Sequence, residues 1–422
     1  MANNLESNVT RQLAKVFTDS FESSRVLSKN VDTQLLQGRF NPDSGTTVDF
    51  KRPTDYVSKR TSDGDISGGT RSDIITGKAT GTVQDMFTVD VEWTRVEEAL
   101  HLGNLEQLIK PMATRIKTDL EVDFASYMMK NGNLLAGAPG TAVTTWAHIA
   151  EAGAIMESTG VPMDNDWCYT VNPYTQTTLA GVDRALGNVP EGQFSDAHRK
   201  AIITENFAGM RVLKATTLDS YTIAAGADRA GTLTAAPTPT YVGAKDTMTQ
   251  TLAVTAFQAN LVVKAGETIQ VAGSNRLNLS TRQPIVDGAG ANILFTGTVQ
   301  SDVTLGASGE GNIVIAGAGI YEATGAYNTI DAALANGAVV TLLGTAADIV
   351  QPNLFWHKQA FSIGSVPIPK LFATDTLATT EDGLQFRVSK YSDGDANKQI
   401  VRFDFHPAYA TLNPFFAGQG HG

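Results

Sequence analysis

Between about Tyr221 and Thr345 the chain changes character, and no other feature narrows its fold as much. The stretch is built of Gly, Ala, Thr and Val, holds no tryptophan, and carries five basic residues, Arg229, Lys245, Lys264, Arg276 and Arg282. Short β runs recur in it, TQTLAVTAF, LVVKAGETIQVAG, NILFTGTV and NIVIAG, with turn signals between them at short, fairly even spacing. That pattern predicts an antiparallel barrel or sandwich. The flanking sequence is richer in aromatic residues, so the β segment reads as a domain inserted into a parent fold whose two halves lie on either side.

The flanks mix helix and strand. Leu5, Val9, Leu13, Val16, Phe17 and Phe21 form one helical stripe, with Glu6, Arg11, Lys15, Asp19 and Glu22 on the other face. Such a helix needs a surface to pack on, either its own body or a neighbouring copy. Residues 39–85 are rich in Gly, Asp, Ser and Thr, with β-like pieces at Thr46–Phe50 and Thr80–Val83. They predict a long polar hairpin, which a compact domain keeps when it works by reaching. MFTVDVEW alternates as a half-buried strand. A long helix follows, with Leu105, Leu108, Ile109, Met112, Ile116, Leu120, Phe124, Tyr127 and Met128 on one side and Asn131-Gly132 as its stop. At 1.5 Å per residue it makes a rod of roughly 40 Å. Pro111 marks a kink or a later start. Helices at Trp146–Ser158 and Tyr174–Leu186 and strands at Trp167–Val171 and Met210–Leu213 complete an α+β body.

Composition excludes several functions. The chain has 422 residues, enough for two or three domains, with 42% hydrophobic and 18% charged residues. No apolar run approaches the roughly 20 residues that span a bilayer. MANNLESNVTRQLAK lacks the apolar core of a secretory signal, so synthesis and folding in the cytoplasm are expected. The formal charge of -11 repels a nucleic-acid backbone, and sequence-specific DNA binding does not fit. The single cysteine, Cys168, lies in the apolar run DWCYTV and is expected to be a buried strand residue. The six histidines, His101, His148, His198, His357, His406 and His421, show no metal-ligand spacing. No GxSxG elbow occurs. GGTRSDIITGKAT has its glycines too far from Gly77-Lys78 for a phosphate loop, and Ala79 stands where a Ser or Thr belongs. The residues assign no catalytic, metal or cofactor site.

The motif SDGD occurs twice, in TSDGDISGG at 61–69 and YSDGDANKQ at 391–399. In the first copy Asp63, Asp65, Ser67 and Gly68 fit the start of a calcium loop, but Ile74 occupies the twelfth position, where a bidentate glutamate is required. In the second, Asp393, Asp395, Asn397 and Asp404 fit, yet Lys398 replaces the glycine of position six. The structural reading is a turn in each case, with φ > 0 at the glycine and aspartates capping backbone amides. A glycan- or calcium-binding β-rich surface protein stays open as the alternative function.

The order of parts and the stretches MANNLESN, VDTQLLQGRF, VDFKRP, GDISGG, SGGTRSDIITGKATG, KTDLEVDFASYMMKNG, QPNLFWHKQAFSIGSVPIPKL and KYSDGDANKQIVRFDFHPAYATLNP resemble the major capsid (coat) proteins of short-tailed, P22-like phages. The inserted segment matches in composition and strand spacing only. The resemblance implies the α+β tailed-phage capsid fold, shared with herpesviruses, carrying an inserted antiparallel β-barrel. It assigns residues 1–38 to an N-terminal arm and 39–85 to an extended loop. Residues 86–132 become the peripheral domain with its spine helix, and 133–220 the first part of the axial domain. The inserted barrel takes 221–345, and 346–422 is the return segment that completes the axial and peripheral domains.

By the same resemblance the protein is no enzyme and needs no cofactor. It assembles as hexamers and pentamers of an icosahedral shell, of triangulation number seven, around a scaffolding protein and with a portal at one vertex. The procapsid forms in the host cytoplasm and expands as double-stranded DNA is packaged. Lys51, Arg52, Lys59, Arg60, Asp63, Asp65 and Arg71 are the expected intersubunit contacts, and Glu6, Asp19 and Glu22 of the arm the expected scaffold contacts. Relatives carry an acidic inter-capsomer loop on the insertion; PTPTYVGAKDTMTQ holds only Lys245 and Asp246 there. Lys78 is a candidate by residue type for the covalent crosslink that some tailed-phage capsids form.

Overall fold

In this computed structural model the chain is described apart from residues 1–4, 23–24, 37–44, 54, 70, 72–73, 95–104, 165, 186–205, 208, 324 and 373–374. It divides into two compact units: residues 1–48, 81–125 and 361–411 form one, and 49–80, 126–360 and 412–422 the other.

The first unit is organised by alternation in two long strands. Gln385–Asp393 and Lys398–Phe405 pair antiparallel at the centre of a four-stranded sheet, flanked by Thr376–Thr379 and Phe87–Thr94. The expected half-burial of Phe87–Thr94 is present, with Phe87, Val89 and Val91 partly covered and Thr88, Asp90 and Glu92 exposed. Period-two alternation puts Phe403 and Phe405 on one face of their strand and Arg402 and Asp404 on the other. The first face receives the arm helix Leu5–Glu22, which buries Leu13, Ala14, Phe17 and Phe21. Phe17 stacks on Phe403 with ring centroids 4.4 Å apart, and Phe21 meets Phe386 edge-on at 4.6 Å. Of the two surfaces the arm stripe allowed, it therefore has its own chain's sheet. On the second face Asp404 is fully buried, accepting from Arg387 Nη2 at 2.6 Å, Arg402 Nε at 2.6 Å and Thr88 Oγ1 at 2.8 Å. Burial pushes its carboxyl up, but these hydrogen bonds overcome that and hold it below the ordinary range.

The long helix Leu105–Asn131 ends where its Asn-Gly stop predicts. It contains Pro111 rather than starting after it, and the ring lies on the exposed side. The same helix supplies a contact the sequence does not advertise. Glu121, 1% exposed, accepts from the backbone amides of Val26, Leu27 and Ser28 at 3.2, 2.7 and 3.0 Å. A second sheet, ordered Thr47–Lys51, Lys78–Val83, Pro407–Thr411, Phe361–Ser365, carries the two strands from which the extended loop springs.

The second unit holds a six-stranded mixed sheet ordered Leu134–Ala136, Ala417–Gly420, Asn353–His357, Trp167–Val171, Met210–Lys214, Asn206–Phe207. Helix Trp146–Thr159 packs Ile149, Ala152 and Met156 into its core. Cys168 is buried in the sheet, and burial pushes its thiol up to about 11, which leaves it unreactive. The inserted segment is a closed antiparallel barrel, ordered Thr249–Thr255, Gly311–Ala316, Leu294–Val299, Thr268–Asn275, Val339–Leu342, Ala230–Leu233. Alternate residues such as Leu252, Val254, Ile313 and Ile315 fill it. Closure leaves no edge strand unpaired.

Replacing Asp404 with alanine strands the buried Arg387 charge and should destabilise the four-stranded sheet by about 3–5 kcal/mol. Because the folded carboxyl titrates below its unfolded value, its contribution is present above about pH 4 and is lost as pH falls further. Amide exchange across 385–405 measures both effects; wild-type protection in Asp404→Ala would show that the carboxylate does not hold the sheet.

Candidate functional site

Among the described residues the extended loop has the longest unbroken exposed run. Its roots are tied. Arg52 N donates to Gly77 O at 2.7 Å, and Asp49 accepts from Thr80 Oγ1 at 2.6 Å and Lys78 Nζ at 3.1 Å. From residue 56 to 69 every position is exposed. Here the first SDGD makes two successive turns: Asp63 Oδ1 accepts from Asp65 N at 3.0 Å, and Asp65 Oδ1 from Ser67 N at 2.8 Å. Gly64 has φ +76°, the left-handed conformation expected at the glycine. Ser67, through its side chain and then its amide, lowers the pKa of Asp65.

The second SDGD differs in one respect. Asp393 pairs with Lys398 across a hairpin, and its Oδ1 accepts from Asp395 N at 3.0 Å and Ala396 N at 3.2 Å. The left-handed residue is Asn397, at φ +52°, and Gly394 is not among the residues with positive φ. A longer loop built on an ordinary turn places its reversal at the last position, which asparagine tolerates. The expectation of φ > 0 at this glycine is therefore corrected. Among the described residues no three His, Cys, Asp or Glu side chains converge as a metal site.

The remaining expected residues fall in different settings. Lys51, Lys59, Arg60, Asp63, Asp65 and Arg71 are exposed. Arg52 is buried, and desolvation draws its guanidinium down to about 10. Asp19 is exposed on the arm helix, while the side chains of Glu6 and Glu22 lie outside the described residues. Lys78 forms an ion pair with Asp49. Lys245 and Asp246 sit on a short helix, Tyr241–Thr247, and both turn inward: Lys245 Nζ donates to Pro53 O at 3.0 Å and Asp246 Oδ1 accepts from Lys78 N at 3.0 Å. The loop also exposes apolar residues that its charge pattern does not mark, Tyr56, Val57, Ile66 and Ile74, the last 76% exposed. Their only signal was apolar side chains in a polar stretch without periodicity.

The family model described as P22 coat protein, gene protein 5, matches residues 1–421. A major capsid protein of Acyrthosiphon pisum secondary endosymbiont phage 1 is 38% identical over 425 residues, covering 100% of both chains. Among solved structures, a chain of Mycobacterium phage Che8 covers 94% of this one at 12% identity with a TM-score of 0.47, over 90% of its own length. A capsid chain of cyanophage P-SCSP1u covers 94% at 10% identity and a TM-score of 0.45, over 87% of its own length. The chain belongs to the P22 coat protein family. It is a phage major capsid protein, a structural subunit whose copies build the shell of the virion, and not an enzyme.

The second turn gives a direct check. Gly394→Ala should leave stability within about 0.5 kcal/mol of wild type, since an added Cβ meets nothing within 4 Å. Asn397→Val should cost about 1–2 kcal/mol. Thermal melts of the two variants that rank in the reverse order would reassign the strained position.

Proposed function

We propose that residues 56–74 of the extended loop lie on a neighbouring subunit of the shell. The supporting observation is the unbroken exposure of 56–69 on a loop tied down at both roots. Lys51, Lys59, Arg60 and Arg71 meet carboxylates of the neighbour, and Tyr56, Val57, Ile66 and Ile74 supply apolar contact. Exposed ion pairs contribute about 0–1 kcal/mol each, and repetition at every interface makes the sum substantial while single errors still dissociate. The two aspartates of the first SDGD shape the tip. Arg52 serves the loop root within its own subunit.

In this reading the chains form hexamers and pentamers of a shell of triangulation number seven, assembled in the host cytoplasm around a scaffolding protein and with a portal at one vertex. The shell expands as double-stranded DNA is packaged, without sequence-specific contact. Glu6, Asp19 and Glu22 of the arm meet a basic segment of the scaffold, and of these Asp19 is exposed in the subunit. The ranges 1–38, 39–85, 86–132, 133–220, 221–345 and 346–422 serve as arm, loop, peripheral domain, first axial part, insertion and return.

Asp63→Ala combined with Asp65→Ala should leave the melting temperature of the free chain unchanged and reduce the yield of closed shells several-fold when the chain is co-expressed with its scaffold, as counted by electron microscopy. Wild-type shell yield would sink the proposed role of the loop tip.

A further inference from the structure

The roots of the loop rest on the barrel of the same subunit through one small assembly. Helix Tyr241–Thr247 and the segment around Tyr327 enclose Tyr241, Ala244, Ala318, Ile320 and Tyr327, and Ile75 of the loop packs against this cluster. Tyr327 Oη donates to Ile75 O at 2.8 Å and accepts from Asp55 N, so one phenol holds both roots. Lys245 reaches Pro53 O of the first root, and Asp246 binds Lys78 N of the second. Arg282 pairs with Asp55 and donates to Asn328 O at 2.7 Å. The packing is close enough that a Cβ on Gly77 would collide with the Cβ of Lys245, and one on Gly325 with the phenol of Tyr241.

The charges in this assembly do not balance around Lys245. Lys245 is 5% exposed as a residue, and Arg52 and Arg282 act on it as cations and Asp55 as a carboxylate. Asp246 acts on Arg52, and Glu322 on the Tyr241 phenol, which burial raises to about 12. Nε and Nη1 of Arg52 are buried without a hydrogen-bond partner. The Tyr327 ring, 3.4 Å from Lys245 Nζ, favours the charged form.

We propose that helix Tyr241–Thr247 is a charge-loaded latch, which holds both loop roots to the barrel and closes more firmly when Lys245 loses its proton. A closed latch fixes the direction in which residues 56–74 leave the subunit. Desolvation first, then Arg52 and Arg282, outweigh Asp55 and bring the Lys245 ammonium down from 10.5 to about 8. A lysine lowered in the closed state favours that state when neutral, so closure strengthens as pH rises from about 8 towards 10.5 and gains nothing below. The neutral amine still donates to Pro53 O.

Amide exchange on the unassembled full chain at pH 7 and pH 9.5, normalised to the intrinsic chemical rate, tests this without any shell, so its outcome is independent of what the loop tip contacts. The amides of Arg52, Asp55 and Lys78 should gain roughly thirtyfold protection at the higher pH, while the barrel amides of Leu233 and Gln300 stay constant. In Lys245→Met the gain should vanish. Latch protection that is flat in the wild type would overturn the proposal, and protection that falls would show instead that the ammonium holds the latch. If Lys245→Met loses barrel protection as well, the wild-type comparison alone decides.

Discussion

The seam between the barrel and the six-stranded mixed sheet is closed by hydrogen bonds from buried side chains. Asn133, just beyond the long helix, donates through Nδ2 to Thr296 O at 2.9 Å and Ala316 O at 2.8 Å, both carbonyls of barrel strands. Arg276 returns from the barrel, its Nη2 donating to Thr296 Oγ1 at 2.7 Å and to Asn133 O at 3.4 Å. Gln419 bridges Met129 O and Gly266 O at 3.1 and 2.8 Å. Burial alone draws the Arg276 guanidinium down to about 10. A buried charge of this kind is costly unless its partners are in place, so it favours one docking of the barrel over all others.

Every cation of the inserted segment has a polar partner within the chain, and for Lys264 that pair is exposed. Arg229 pairs with the buried Glu267, and Lys264 pairs with Asp302 at 2.7 Å. Arg276 serves the seam, while Lys245 and Arg282 serve the loop roots. A segment with five basic residues thus uses each for an internal contact. The exposed cations Lys51, Lys59, Arg60 and Arg71 belong instead to the loop and its base.

What the sequence disclosed is what periodicity encodes. Strand Phe87–Thr94, the long helix and the alternating barrel strands were legible because burial repeats at two or 3.6 residues within one element. Contacts fixed by distant partners were not. Arg52 looks like a surface charge in a polar stretch; its burial depends on the short helix around Lys245 and Asp246. Glu121 sits among helical residues as an ordinary acid, and only the fold aims it at the amides of Val26, Leu27 and Ser28. The proline at 111 was ambiguous because a missing amide on the exposed side of a helix can be tolerated when packing elsewhere holds the turn.

The two SDGD turns show why one local motif can serve two ends. Their side-chain chemistry is the same, an aspartate capping the amide two residues on. The second copy is clamped between paired strands, where Lys398 reaches Glu92 at 2.9 Å and the register leaves four residues to reverse the chain. Its reversal therefore falls at Asn397 and its glycine is idle. Among the described residues no strand pairs beside the first copy, so Gly64 makes the reversal, and the Asp63 and Asp65 caps together with the Gly69 N–H to Ile66 O bond shape the tip. The motif sets a preference for turning; the pairing around it decides which residue turns and whether the turn stabilises the subunit or presents a surface beyond it.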